Sequence, residues 1–71
     1  MDDRDALNAF RRFLREQNLP VTPQRVAIAE VVLSATEHLS ADEVASAVRA
    51  RGATVGTATV YRTLDILVRS G

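Results

Sequence analysis

The tetrapeptide Ser40-Ala41-Asp42-Glu43 limits the fold more than any other feature of the chain. A serine followed three residues later by a glutamate is a capping box: each side chain accepts a hydrogen bond from a backbone amide that the first helical turn leaves unpaired. A helix therefore starts here. Thr22-Pro23 is a second start, since threonine caps free amides and proline at the first helical position gives up an amide that lacks a partner anyway. Just upstream, Leu19-Pro20 breaks the chain, because the residue before proline is held out of the helical region. Asn18 and Gly52 are residues suited to a left-handed stop. Together these signals divide 71 residues into four short helices: about 2–17, 23–35, some ten residues after Ser40, and 57–70.

Hydrophobic spacing gives each helix an inner face. Ala6, Leu7, Phe10, Phe13 and Leu14 form the stripe of the first helix, with acids in its first turn and arginines further on, as the helix dipole favours. Val26, Ala29, Val32 and Leu33 are the expected buried face of the second, with Ile28 at its flank. Ala41, Val44, Ala45 and Val48 give the third a small-residue face, and Gly52 after Arg49 and Arg51 ends it. After a connection over 53–56, Gly56 or Thr57 caps the fourth. There Val60, Leu64 and Leu67 point inward, while Ala58, Tyr61, Arg62, Asp65 and Arg69 point outward.

Composition removes several classes of function. Hydrophobic residues at 46% and charged residues at 25% describe a globular chain rather than a disordered one. Without cysteine there is no disulfide, thiolate metal site or cysteine nucleophile, and a reducing cytoplasm is the expected compartment. No run approaches the roughly 20 apolar residues of a membrane span. One histidine and no glycine-rich phosphate loop leave no nucleophile and base to pair, so no enzyme is expected. A net charge of +0 rules out holding nucleic acid by bulk attraction, and leaves only local placement. All nine basic residues are arginine, and Arg11, Arg12, Arg15 and Arg25 against Glu16 make a local basic patch.

The third and fourth helices, joined by a short glycine-bounded turn, suit a helix-turn-helix, in which one helix supports a second that enters the DNA major groove. A core-packing hairpin is the alternative. The outer face of helix four favours DNA. Tyr61 offers a ring for thymine methyls or sugar, and Arg62 a fork that can bind guanine O6 and N7 together. Thr57 and Thr59, near the helix N-terminus, offer hydroxyls and amides to phosphate. The competing assignment has Tyr61 covering the core edge and Arg62 paired with an acid on a solvated face.

The run Gly56-Thr57-Ala58-Thr59-Val60-Tyr61-Arg62-Thr63-Leu64 resembles the recognition-helix signature of the ferric uptake regulator family. Leu19-Pro20-Val21-Thr22-Pro23-Gln24-Arg25 resembles the family's start of the second helix, and His38-Leu39-Ser40-Ala41-Asp42-Glu43-Val44 its loop into the third. The resemblance implies a mainly α, four-helix winged helix-turn-helix domain, truncated before the β wing. It also implies a parent that is a dimeric, metal-responsive transcriptional regulator, usually a repressor. Tyr61 and Arg62 match positions that read the major groove. Thr59 and Arg25 match positions near the phosphate backbone. One of Arg11, Arg12 and Arg15 in the first helix, taken as Arg15, is expected to reach the backbone or a minor groove, the alternative being a solvated surface.

His38, by itself, is a lone histidine in a polar loop. The resemblance makes it one partial ligand of the family's regulatory metal site, or an oxidation target in the peroxide-sensing branch. The parent is expected to bind divalent iron, zinc or manganese. This chain, lacking the other ligands and the wing and dimerisation domain over its residues 1–71, is expected to hold no metal tightly. The expected partner is double-stranded DNA, an A·T-rich inverted repeat read by a homodimer of the parent, with no membrane involved. A small helical protein-interaction module without nucleic-acid binding is the competing function.

Overall fold

The structure, a computed structural model, describes residues 3–70, with Asp3 described by its backbone alone. The expected helix start at Asp2 and the stop at Gly71 lie outside the described residues. Four helices follow in order: α1 (Asp3–Glu16), α2 (Pro23–Ser34), α3 (Ala41–Ala50) and α4 (Thr57–Ser70), with no strand among the described residues. The domain is mainly α, as its punctuation requires.

Each sequence signal has a geometric counterpart. Asn18, at φ 58°, ends α1 in the left-handed region. Its amide donates to the Arg15 carbonyl at 3.1 Å, and the Leu19 amide donates to that of Leu14 at 2.8 Å, a Schellman ending. Leu19 then packs on the cluster that contains Leu14. The same device closes α3: Gly52 has φ 90°, its amide donates to the Arg49 carbonyl at 2.9 Å, and Ala53 donates to Val48. Thr22 caps α2 through its Oγ1, which accepts from the Arg25 amide at 3.2 Å. At the start of α3 both halves of the capping box are present: Ser40 N–H donates to Glu43 Oε1 at 2.9 Å, and Glu43 N–H donates to Ser40 Oγ at 3.1 Å. The bond from the Ser40 amide, and to a lesser degree the nearby Ser40 hydroxyl, favour the ionised form and lower the pKa of the exposed Glu43 carboxyl below its ordinary value.

The core has two parts joined by α2 and α4. Ile28, Val31, Val44, Ala45, Val48, Val55 and Val60 gather α2, α3 and α4. Phe10 and Leu14 of α1 meet Ala29 of α2 and Ile66 of α4 in the other. The expected inner faces of α1 and α3 are borne out at Phe10, Leu14, Val44, Ala45 and Val48.

Two faces differ from expectation. In α2 the buried residues are Ile28, Ala29 and Val31, while Val26, Val32 and Leu33 are half-buried. In α4 they are Val60, Thr63 and Ile66, with Leu64 and Leu67 half-buried. One cause covers four of these residues: Val32, Leu33, Leu64 and Leu67 border an open, mostly apolar groove of about 710 Å³. The groove lies among α1, the end of α2, the loop before α3 and the end of α4, so spacing that pointed inward reaches a face that the neighbouring helices cover only in part. Thr63 takes a fully buried position because its hydroxyl donates to the Thr59 carbonyl of its own helix at 2.8 Å and needs no other partner.

Candidate nucleic-acid interface

The corner between α3 and α4 is built by local bonds. After the left-handed turn at Gly52, Val55 is buried in the α2–α3–α4 cluster and anchors the connection. Arg49, in the last turn of α3, donates from Nη2 to the Val55 carbonyl at 3.3 Å. Gly56 takes the N-cap position of α4, its carbonyl accepting from Val60 N–H at 3.2 Å. Arg51 pairs with Glu30 of α2 at 3.7 Å, both well exposed. The two arginines expected at the far end of α3 are there. Beyond serving the helix dipole, one ties down the turn and the other reaches α2.

Because Val60, Thr63 and Ile66 face the core, the opposite side of α4 is presented outward. Tyr61 is 59% exposed, and Thr57, Ala58 and Arg62 are exposed with it. Arg62 makes no hydrogen bond or ion pair among the described residues, so pairing with a surface acid, the competing assignment, is not what the structure holds. Tyr61 stands clear of the core rather than covering its edge. One turn further on, Asp65 and Arg69 pair with each other at 2.9 Å.

Arg25 and Thr59, distant in sequence, come together. They line a shallow, mainly polar groove of about 380 Å³ with Pro20, Thr22, Gln24 and Thr54, where the starts of α2 and α4 converge. Arg25 is held there by a 2.7 Å bond from Nη1 to the Pro20 carbonyl. Free amides at two helix starts beside a guanidinium suit an anionic oxygen. Thr22, expected only as a helix cap, and Gln24 and Thr54 were not expected as binding residues. Their only sequence signal is proximity to a helix start.

The remaining expected residues lie apart. Arg15 is exposed in the last turn of α1 and does not line this groove. His38 is exposed at the rim of the apolar groove. Among the described residues no three His, Cys, Asp or Glu side chains gather as a metal cage. The residues present do not by themselves fit a divalent metal. No helix among them is long and apolar enough to cross a membrane.

The sequence is similar to known proteins. The ferric uptake regulator family matches over residues 16–71. The chain is 39% identical over 62 residues to the ferric uptake regulation protein of Bacillus subtilis (strain 168), covering 86% of this chain and 42% of that protein. It is 38% identical over 60 residues to the ferric uptake regulation protein of Synechococcus elongatus, covering 82% and 41%. To the peroxide operon regulator of Bacillus subtilis (strain 168) it is 34% identical over 58 residues, covering 82% and 40%. It thus spans about two fifths of the length of these curated relatives. No solved structure matches. With more than half of its residues matched by the family, and the recognition-helix run displayed on an exposed helix, the chain belongs to the ferric uptake regulator family.

Proposed function

We propose that residues 1–71 act as a DNA-reading domain, non-enzymatic, that presents α4 to the major groove of double-stranded DNA. The observation that carries this reading is the outward pair Tyr61 and Arg62, exposed and without hydrogen-bond or ion-pair partners among the described residues, beside a helix start. Arg62 supplies the bidentate donor for a guanine edge and Tyr61 an aromatic surface for a thymine methyl or sugar. Thr57, Thr59 and Arg25 hold the backbone phosphate near the converging helix starts, fixing register without reading sequence. Arg15 adds a more distant phosphate contact.

The parent, on this reading, is a cytoplasmic, metal-responsive transcriptional regulator that acts as a homodimer on an A·T-rich inverted repeat. The names of two relatives, ferric uptake regulation protein and peroxide operon regulator, support that class. His38 would contribute one ligand to a divalent iron, zinc or manganese site completed by residues other than those described. Groove reading by α4 proceeds without it. A homodimer engaging both half-sites binds more tightly than a single copy of residues 1–71 would, because the second contact is effectively intramolecular.

The test is binding to an A·T-rich inverted-repeat duplex and to a scrambled duplex, titrated from low to moderate salt with and without divalent metal. Selective, salt-sensitive binding that ignores added metal is expected. Selective binding that requires metal would make the His38 site more complete than proposed. Absence of binding at low salt would favour a protein-interaction module, for which the apolar groove of about 710 Å³ is the candidate surface.

A further inference from the structure

The outward face of α4 carries one acid among its cations, and its position is informative. Successive residues of a helix advance 100° and 1.5 Å. Asp65 therefore falls, in angle, between Tyr61 and Arg62, about 6 Å further along the axis than Tyr61. A duplex seated on Tyr61 and Arg62 brings its negative charge toward this carboxylate. The major groove is about 12 Å wide, so a helix lying in it has a phosphate row on each side.

Asp65 is also engaged. Its Oδ2 accepts from Arg69 Nη2 at 2.9 Å, and the two side chains are 61% and 67% exposed. So exposed a pair stabilises a helix little. Nor does Arg69 need an acid to suit its place, since the last turn of a helix already favours a cation. What the pairing does is remove a guanidinium from the charge that α4 offers to DNA. In a chain of net charge +0, one cation withheld or released is a large fraction of the attraction available.

We propose that the Asp65–Arg69 pair determines specificity by suppressing non-specific attraction: Asp65 keeps Arg69 in an internal pair and repels phosphate, so binding depends on Tyr61 and Arg62. This rests on the DNA-reading function above. The acid costs affinity for every duplex and restores the contrast between the correct duplex and the rest.

The experiment compares the chain, Asp65→Asn, and Asp65→Asn combined with Arg69→Gln. Each is titrated with the A·T-rich inverted-repeat duplex and the scrambled duplex from 50 to 200 mM salt, as ionic strengths that span roughly the usual range of such dependences. Helical circular dichroism checks that all three fold alike. Asp65→Asn is expected to bind both duplexes more tightly, the scrambled one by the larger factor. The slope of log affinity against log salt should steepen by about 0.9, an additional loss of about 3.5-fold across the fourfold rise in salt. Adding Arg69→Gln should return the slope to its starting value. An unchanged slope and selectivity in Asp65→Asn would overturn the proposal and leave a simple surface pair. Weaker binding confined to one base pair would overturn it too, making Asp65 a base-reading acceptor. If the unsubstituted chain binds neither duplex at low salt, the DNA reading itself falls and takes this proposal with it.

Discussion

Replacing Gly52 by alanine isolates what a left-handed backbone costs at the corner that aims α4. Gly52 has φ 90°, and a Cβ built there meets nothing within 4 Å. Crowding therefore contributes nothing, and the whole penalty is conformational, about 1–2 kcal/mol for an L-residue in this region. In a domain of this size each 1 kcal/mol lowers the thermal midpoint by roughly 4–8 °C. Gly52→Ala should accordingly melt roughly 4 to 16 °C lower. Gly52→Asn should lose less, since asparagine visits this region more readily. Gly56 is the control. Its added Cβ also meets nothing within 4 Å, but its φ is not in the left-handed region and it caps α4. Gly56→Ser should raise stability by a few tenths of a kcal/mol, because serine adds an acceptor for the free amides. Thermal and urea denaturation followed by helical circular dichroism measure all three against the unsubstituted chain. An unchanged midpoint for Gly52→Ala, or an equal fall for Gly56→Ser, would refute the conformational argument.

Other perturbations separate the roles of single residues. Leu14 is 0% exposed, so Leu14→Ala should cost about 2–5 kcal/mol in the same denaturation assay; a cost below 1 kcal/mol would show that the α1 cluster collapses around the cavity. Glu43 has a folded-state pKa below its ordinary 4.5, so the stability it contributes is present above that value and lost as pH falls through the lower folded value. Glu43→Gln keeps an acceptor but does not titrate, and its stability difference from the parent should shrink on acidification below pH 4.5; a difference constant with pH would contradict the assignment. Arg62→Ala should cost about 1–3 kcal/mol of DNA affinity and relax preference at one base position. Arg25→Ala should weaken all sequences alike and flatten the salt slope by about one unit, and equal loss of selectivity from both substitutions would contradict that division.

The helix limits were legible because their causes are local. Ser40 with Glu43, Thr22 with Pro23, Asn18 and Gly52 each act within a few residues, and each appears in the structure as the sequence implied. The inner faces of α1 and α3 followed from spacing, since each has one dominant buried side. Burial in α2 and α4 did not, because spacing specifies which residues are apolar but not which of them a neighbour covers. Val32, Leu33, Leu64 and Leu67 are half-buried for that reason. Thr63 escaped notice because a polar residue that satisfies itself within its own helix leaves no pattern. In the candidate site, the exposure of Tyr61 and Arg62 was readable from the α4 period. The meeting of Arg25 with Thr59 and Thr54 was not, since it depends on how two helix starts converge in space.

The division of the core into two clusters has a consequence for motion. Val44, Val48, Val55 and Val60 bind the α3–α4 corner to α2 without any residue of α1, whereas Phe10 and Leu14 reach α4 chiefly through Ile66. Proteins open in cooperative units whose free energies follow such packing. Amide protons of α1 should therefore exchange with solvent through an opening that leaves those of α3 and the first turns of α4 protected. The helix that carries Arg11, Arg12 and Arg15 would then loosen and reattach while the corner bearing Tyr61 and Arg62 keeps its shape.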